Sequence, residues 1–237
     1  MITANSNYRD ALNRLGLFDD QKAIEILSEE KLSNDAHAMY LLGQIYFFAD
    51  KRETGVCRDL PKAKHYWLKA IKLGSAEAAY DLGKMYRFAS GVKQSYSKAE
   101  HYWLMAFERG YTLAAFDLIR LYYDHLHEKI NKAIELCLWL IENNEFVGNC
   151  CLILGRIYYR GVGVSVDREQ AFLWLTKGAD IGHGVSCMDL AMMYYKGECV
   201  EKDIEKAISL VEEAGKTEWL KEEAPIIVGL MRYGKLA

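Results

Sequence analysis

Residues 75–110, SAEAAYDLGKMYRFASGVKQSYSKAEHYWLMAFERG, carry two apolar patterns separated by a polar, glycine-bearing stretch. In the second, Ala99, Tyr102, Trp103, Ala106 and Phe107 recur three or four residues apart and so share one stripe of a helix. The first, built around Leu82-Gly83-x-Met85-Tyr86, has the same period. The pattern predicts a pair of helices joined by a short loop.

The same unit recurs. LLGQIY, DLGKMY, DLIRLY, ILGRIY and DLAMMY place tyrosines at 46, 86, 122, 158 and 194, spaced by 40, 36, 36 and 36 residues. A second landmark, Ala63, Ala99, Ala133, Ala171 and Ala207, follows at intervals of 36, 34, 38 and 36. Two landmarks keeping one period define a tandem array. Gly43, Gly83 and Gly155 recur inside the first helix, where glycine costs about 1 kcal/mol relative to alanine. A repeated cost of that kind predicts a repeated close approach between helices, adjusted at Ile119 and Ala191.

The loops GVGVSVD, SGVKQSY and GECVEKD put Gly161, Gly91 and Gly197 after the first helix, and Asp167 or Asp203 where they can cap the second. Gly161 and Gly163 therefore punctuate a repeat. A phosphate loop requires GxxxxGK(S/T), or GxGxxG after a strand; here a helix precedes the loop and Val166 occupies the third glycine position.

Composition narrows the function classes. Of the 237 residues, 51% are hydrophobic and 27% charged, a globular balance with ample core-forming material. The formal net charge of -3 argues against a general nucleic-acid binder, which needs a basic excess. The N-terminal residues show no secretory pattern, and no apolar run approaches the roughly 20 residues of a membrane span. Six cysteines lie without CxxC spacing or pairing rhythm, which favours reduced thiols and a cytoplasmic location.

The pattern A-x-x-x-L-G-x-x-Y, a glycine-bearing loop, then D-x-x-K-A-x-x-W/Y resembles the Sel-one-like repeat (SLR) family, a relative of the tetratricopeptide repeat. The resemblance covers residues 34–215 as five units. It is strongest at 75–110 and 147–182 and weakest in the third unit, where Ile119 and Leu126 replace expected glycines. Residues 1–33 read as a degenerate helix pair with Ala23 in the alanine register, and residues 216–237 as a capping first helix with Gly229 near register. Such caps complete a repeat array whose units cannot bury their apolar faces alone.

The resemblance implies an all-α, right-handed α-solenoid forming one continuous domain. It also implies a non-catalytic adaptor or scaffold that needs no cofactor and holds a partner protein on a concave face lined by the first helices. Bacterial relatives include adaptors, host-interaction factors and partners of toxins, so an immunity or inhibitor protein is the narrower alternative. Carried over by position, two columns of this chain form the partner-binding stripe: Lys84, Arg120 and Arg156 in one, and Phe47, Arg87, Tyr123, Tyr159 and Tyr195 in the other. Arginine and tyrosine suit such a stripe, since both are enriched at binding hot spots and a guanidinium grips a carboxylate at two points. An acidic segment or a folded toxin or effector is the expected partner.

Competing chemistry is thin. His125 and His127 stand two apart, a spacing that diverges on a helix, and no third metal ligand is near in sequence. GxSxG is absent. Aromatics among arginines could stack RNA bases, but the acidic net charge opposes that use. His65 and His101 share one register, and Cys151 and Cys187 another in which alanine stands elsewhere; both read as packing or ridge positions.

Overall fold

The computed structural model describes residue 13 and residues 19–29, 32–218 and 220–235. Among these the secondary structure is helical, with no strand. The helices are α1 (Asp20–Leu27), α2 (Ala36–Phe48), the short α3 (Lys51–Thr54), α4 (Leu60–Lys72), α5 (Ala76–Arg87), α6 (Tyr96–Glu108) and α7 (Leu113–His125). After a 3-10 turn at His127–Lys129 come α8 (Ile130–Glu142), α9 (Val147–Arg160), α10 (Arg168–Asp180), α11 (Gly184–Lys196), α12 (Ile204–Ala214) and α13 (Ala224–Arg232). Of the expected N-terminal pair, the second helix is α1; the first, over residues 8–16, lies outside the described residues except for Asn13.

The chain divides into two compact units, Met1–Leu118 and Ile119–Ala237, with the boundary inside α7. In the first unit, α1 packs on α2, α2 pairs with α4, α4 contacts α5, and α5 pairs with α6. In the second, α8 packs on α9, α9 pairs with α10, α11 with α12, and α13 closes on α12. Within each unit these helices thus pack on their own partner and on the pair beside it.

The two sequence landmarks are joined physically. The N-cap residue of the second helices α4, α6, α10 and α12 donates its backbone N–H to the carbonyl of the register tyrosine: Asp59 to Tyr46 at 2.9 Å, Ser95 to Tyr86 at 3.1 Å, Asp167 to Tyr158 at 2.9 Å and Asp203 to Tyr194 at 3.0 Å; in α8 the N-cap Lys129 donates to Leu126 O instead. The four that reach a tyrosine also cap with their side chains; the Asp167 carboxylate accepts from Gln170 N at 2.9 Å and Asp203 from Lys206 N at 2.8 Å. Capping of this kind contributes about 1 kcal/mol per helix. The register alanines, Ala23, Ala63, Ala99, Ala133, Ala171 and Ala207, are all fully buried. Gly161 ends α9 in the left-handed region at φ 69° and returns its N–H to Ile157 O, so the glycine pair closes a helix.

The recurring glycines are sites of close approach. A Cβ on Gly43 would stand 2.3 Å from the Trp67 indole, one on Gly83 2.4 Å from Trp103, and one on Gly155 2.7 Å from Leu175. In each case the residue four after the register alanine of the second helix fills the notch that glycine opens in the first. In the third unit Ile119 stands at this position and is itself fully buried.

Candidate functional site

The members of the expected stripe meet different fates in the two units. In the first unit Phe47 is half-buried, its ring 5.1 Å from that of Trp67, with the Arg58 guanidinium 5.2 Å above it. Lys84 is tied down on both sides: Nζ lies 2.8 Å from Asp81 Oδ1 and 4.8 Å from the centre of the Tyr80 ring. Arg87 sits over the rings of Phe88 and Tyr96 at 5.6 and 5.0 Å. Phe47, Lys84 and Arg87 therefore all contribute to packing.

Asp81 is a buried hub. Besides Lys84 it accepts hydrogen bonds from the Tyr40 hydroxyl at 3.0 Å and from Gln44 Nε2, both in the preceding repeat. Tyr80 repeats the arrangement one unit on, donating to Asp117 Oδ2 at 2.7 Å. Burial, reinforced by the facing carboxylate, pushes both phenols well above their ordinary range, so they act as permanent donors. An aspartate two before the glycine position thus stitches consecutive repeats together.

The second unit uses the same column differently. Arg156 grips Asp189 in bidentate fashion, Nε to Oδ2 at 2.6 Å and Nη2 to Oδ1 at 3.2 Å. Those hydrogen bonds raise the arginine's pKa further, against the opposing effect of burial. Asp189 stands 33 residues after Arg156. The residue 33 after Arg120 is Ile153, so Arg120 has no such acceptor; it is exposed, and among the described residues no ion pair or side-chain hydrogen bond holds it. Tyr123 accepts a hydrogen bond from Arg160 Nη1 at 3.3 Å. Tyr159 donates to Glu198 Oε2 at 2.6 Å while the Arg168 guanidinium lies 3.8 Å over its ring. The hydrogen bond to Glu198 is the main cause of the raised pKa of that phenol.

Tyr195 departs from the stripe. It is 8% exposed and belongs to the core formed with Ala191, Ala207, Val211 and Val228, with Lys202 Nζ 5.4 Å from its ring centre. The packing of α13 on α12 and α11 draws this side chain inward, so it offers little surface to a ligand.

What the second unit does assemble is a cavity of about 150 Å³ lined by Arg156, Tyr159, Arg160, Leu175, Asp189, Met192 and Lys196. Three cations face one carboxylate there, and Arg156 already holds that carboxylate. Leu175 and Met192 supply an apolar floor beside them. Sequence reasoning missed Arg160 and Lys196, although both directly follow a residue of the aromatic column, at the last position before a capping glycine, Gly161 or Gly197.

The remaining candidates are structural. His125 ends α7 and His127 opens the 3-10 turn; among the described residues no group of three or more His, Cys, Asp or Glu side chains is placed to hold a metal. His65 and His101 are exposed, each with its ring edge-on to the following tyrosine. Cys151 and Cys187 are buried, and burial pushes both thiols up. No described helix is long and apolar enough to cross a membrane.

The fold and this surface define a class: an α-solenoid of repeated helix pairs that presents polar and aromatic side chains. The chain belongs to the Sel1 repeat family, whose profile matches residues 36–75, 76–111, 149–183 and 184–216. The third helix pair, with its isoleucine in place of glycine, falls between the matched segments. Sel1 repeats generally mediate protein–protein interaction. A Sel1 repeat protein from Oxalobacter formigenes has a similar structure, with a TM-score of 0.67 and 21% identity, covering 97% of this chain and 88% of its own. The protective antigen c5321 of uropathogenic Escherichia coli, which displays an SLR fold, aligns at 19% identity with a TM-score of 0.47, covering 98% of this chain and 56% of its own. No curated protein matches the chain in sequence.

Proposed function

We propose that the protein is a non-catalytic scaffold that captures a partner protein through an acidic segment laid on the first-helix face of the second unit. The observation that carries this reading is the cationic surplus around the 150 Å³ cavity: Arg160 and Lys196 line it without a carboxylate of their own, because Asp189 is engaged by Arg156. Arg120, exposed one repeat earlier in the arginine column, extends the positive surface. A glutamate side chain entering there would rest its methylenes on Leu175 and Met192 and place its carboxylate between Arg160 and Lys196. Charge-assisted contacts of this type are the stronger class of hydrogen bond and also steer association. The six cysteines are free thiols, which accords with a reducing cytoplasm.

Affinity capture from cells that produce the protein tests the reading, comparing the natural chain with one carrying Arg120→Glu and Arg160→Glu. These positions leave the Arg156–Asp189 pair intact, so helicity and melting temperature should hold while the captured protein is lost. Equal capture by both chains would remove the cationic face from the function. A captured toxin or effector inactivated by the complex would narrow the scaffold to an inhibitor.

A further inference from the structure

The last first helix, α13, has the form of its predecessors but not their covering. With Gly229 set on Gly83, the residues Ala224, Val228 and Met231 fall on Ala78, Leu82 and Met85, and all six are buried against the preceding repeat. The other side differs. In α5, Ala79 and Tyr86 are also buried, because α6 lies over them with Trp103 in the Gly83 notch and Tyr102 stacked on Tyr86 at 5.7 Å. In α13 the corresponding residues are Pro225 and Arg232, and both are exposed. A Cβ built on Gly229 meets no atom of the described residues within 4 Å. It is the one described glycine within a helix of which this is true.

The surroundings of that notch form a groove. A cavity of about 410 Å³ runs between the end of α12 and α13, lined by Glu212, Gly215, Lys216, Ala224, Val228 and Arg232, with Lys221 and Pro225 at its side. The earlier repeats identify what occupies this position. In the first unit, Arg109 at the end of α6 reaches back to the end of α4, donating to Ile71 O at 3.1 Å and Ser75 O at 3.2 Å. A second helix therefore lies both on its own first helix and across the end of the second helix before it. The groove at Gly229 has those same two walls.

We infer that the α12–α13 groove is a docking site for an amphipathic helix of a partner protein, which lies on α13 as the chain's own second helices lie on their first helices. The occupant has the chemistry of the chain's own second helices: a small residue, then four positions later a tryptophan or leucine, as in Ala63/Trp67, Ala99/Trp103 and Ala171/Leu175. The bulky side chain enters the Gly229 notch. Lys216 is paired with Glu213, which leaves Lys221 and Arg232 beside Glu212 around the groove, so an acidic residue of the incoming helix, such as Glu100 or Glu108 in the chain's own α6, finds a cation there. Ile226, Leu230 and Tyr233, exposed at 65%, 36% and 79%, form an apolar ridge on the adjoining face of α13, and such ridges mark contact surfaces.

The test uses the full chain and a fluorescently labelled peptide of residues 94–110, which contains Ala99 and Trp103, followed by fluorescence anisotropy. Saturable binding is expected, weakened at least tenfold by Trp103→Ala in the peptide, by Gly229→Leu in the protein, or by the surface change Arg232→Glu. Arg156→Glu and Arg160→Glu should leave it unchanged, which separates this groove from the cationic face of the first helices. Circular dichroism of Gly229→Leu and Arg232→Glu should match the natural chain. Absence of saturable binding, or binding indifferent to both protein variants, would overturn the inference. So would a concentration-dependent dimer in sedimentation that Gly229→Leu abolishes, since that would assign the groove to a second copy of the chain.

Discussion

The Trp103 indole occupies the space that a side chain at residue 83 would need: a Cβ on Gly83 would lie 2.4 Å from it, while the indole Nε1 donates to Tyr80 O at 3.0 Å. Glycine is thus the condition for the helix pair to close around a buried tryptophan. Gly83→Leu should destabilise the protein by about 1–3 kcal/mol through overpacking, and Gly155→Leu should behave alike against Leu175. Thermal denaturation checks both, and an unchanged melting temperature in either would contradict the notch.

Gly229 predicts the opposite sign. Its Cβ position is open among the described residues, so Gly229→Ala should stabilise α13 by about 0.5–1 kcal/mol through helix propensity alone. Chemical denaturation of this variant beside Gly83→Ala would give shifts of opposite direction.

The expectation from sequence succeeded where the physics is periodic and local. Helix pairs, aspartate caps, buried register alanines and the close approach at Gly43, Gly83 and Gly155 all follow from spacing and residue type. It fell short where a partner comes from the neighbouring repeat. Asp81 stands three residues before Lys84 on the same helix, yet its contacts with Tyr40 and Gln44 span 41 and 37 residues, and no local pattern announces them. Tyr195 shared the residue type of Tyr123 and Tyr159 but is buried by α13, a tertiary effect invisible to its column. His183 is a further case: it caps α11, accepting from Ser186 N, where serine or aspartate does this elsewhere.

That cap makes stability depend on pH. Burial lowers the pKa of His183, helped by the nearby Arg156 charge and opposed by Asp189, so folding disfavours the charged imidazolium. An unfolded histidine titrates near pH 6.5. The contribution of this group is therefore complete above about pH 6.5 and is lost as pH falls from there towards the lower folded value, because the unfolded chain binds the proton first. His183→Asn retains a capping side chain and should flatten the stability profile below about pH 6.5. An identical slope in both proteins would place the dependence elsewhere.

Arg156 and Asp189 supply a measurable coupling. Their side chains are 33% and 29% exposed, so solvent screens the pair, and a double-mutant cycle with Arg156→Ala and Asp189→Ala should return about 0.5–1 kcal/mol. A coupling near zero would show that the bidentate geometry adds nothing to the joint between these repeats.

Thiol reactivity should divide the cysteines two and four. Cys57 and Cys199 are exposed, whereas Cys137, Cys150, Cys151 and Cys187 are buried. Under native conditions an aromatic disulfide reagent should titrate two thiols quickly and the remaining four only upon unfolding. Rapid reaction of a third would mean that the core of the second unit opens locally.

The tether between the register tyrosine and the following N-cap has a consequence for how these chains diversify. Asp59 reaches Tyr46 from thirteen residues away, whereas Ser95, Asp167 and Asp203 reach their tyrosines from nine, and the hydrogen bond is the same. The longer connection folds its surplus into α3 and returns to the same carbonyl. The joint behaves as a clasp whose strap length is free: segments can be grafted between tyrosine and cap, varying the rim of one repeat while the frame beneath stays as it was.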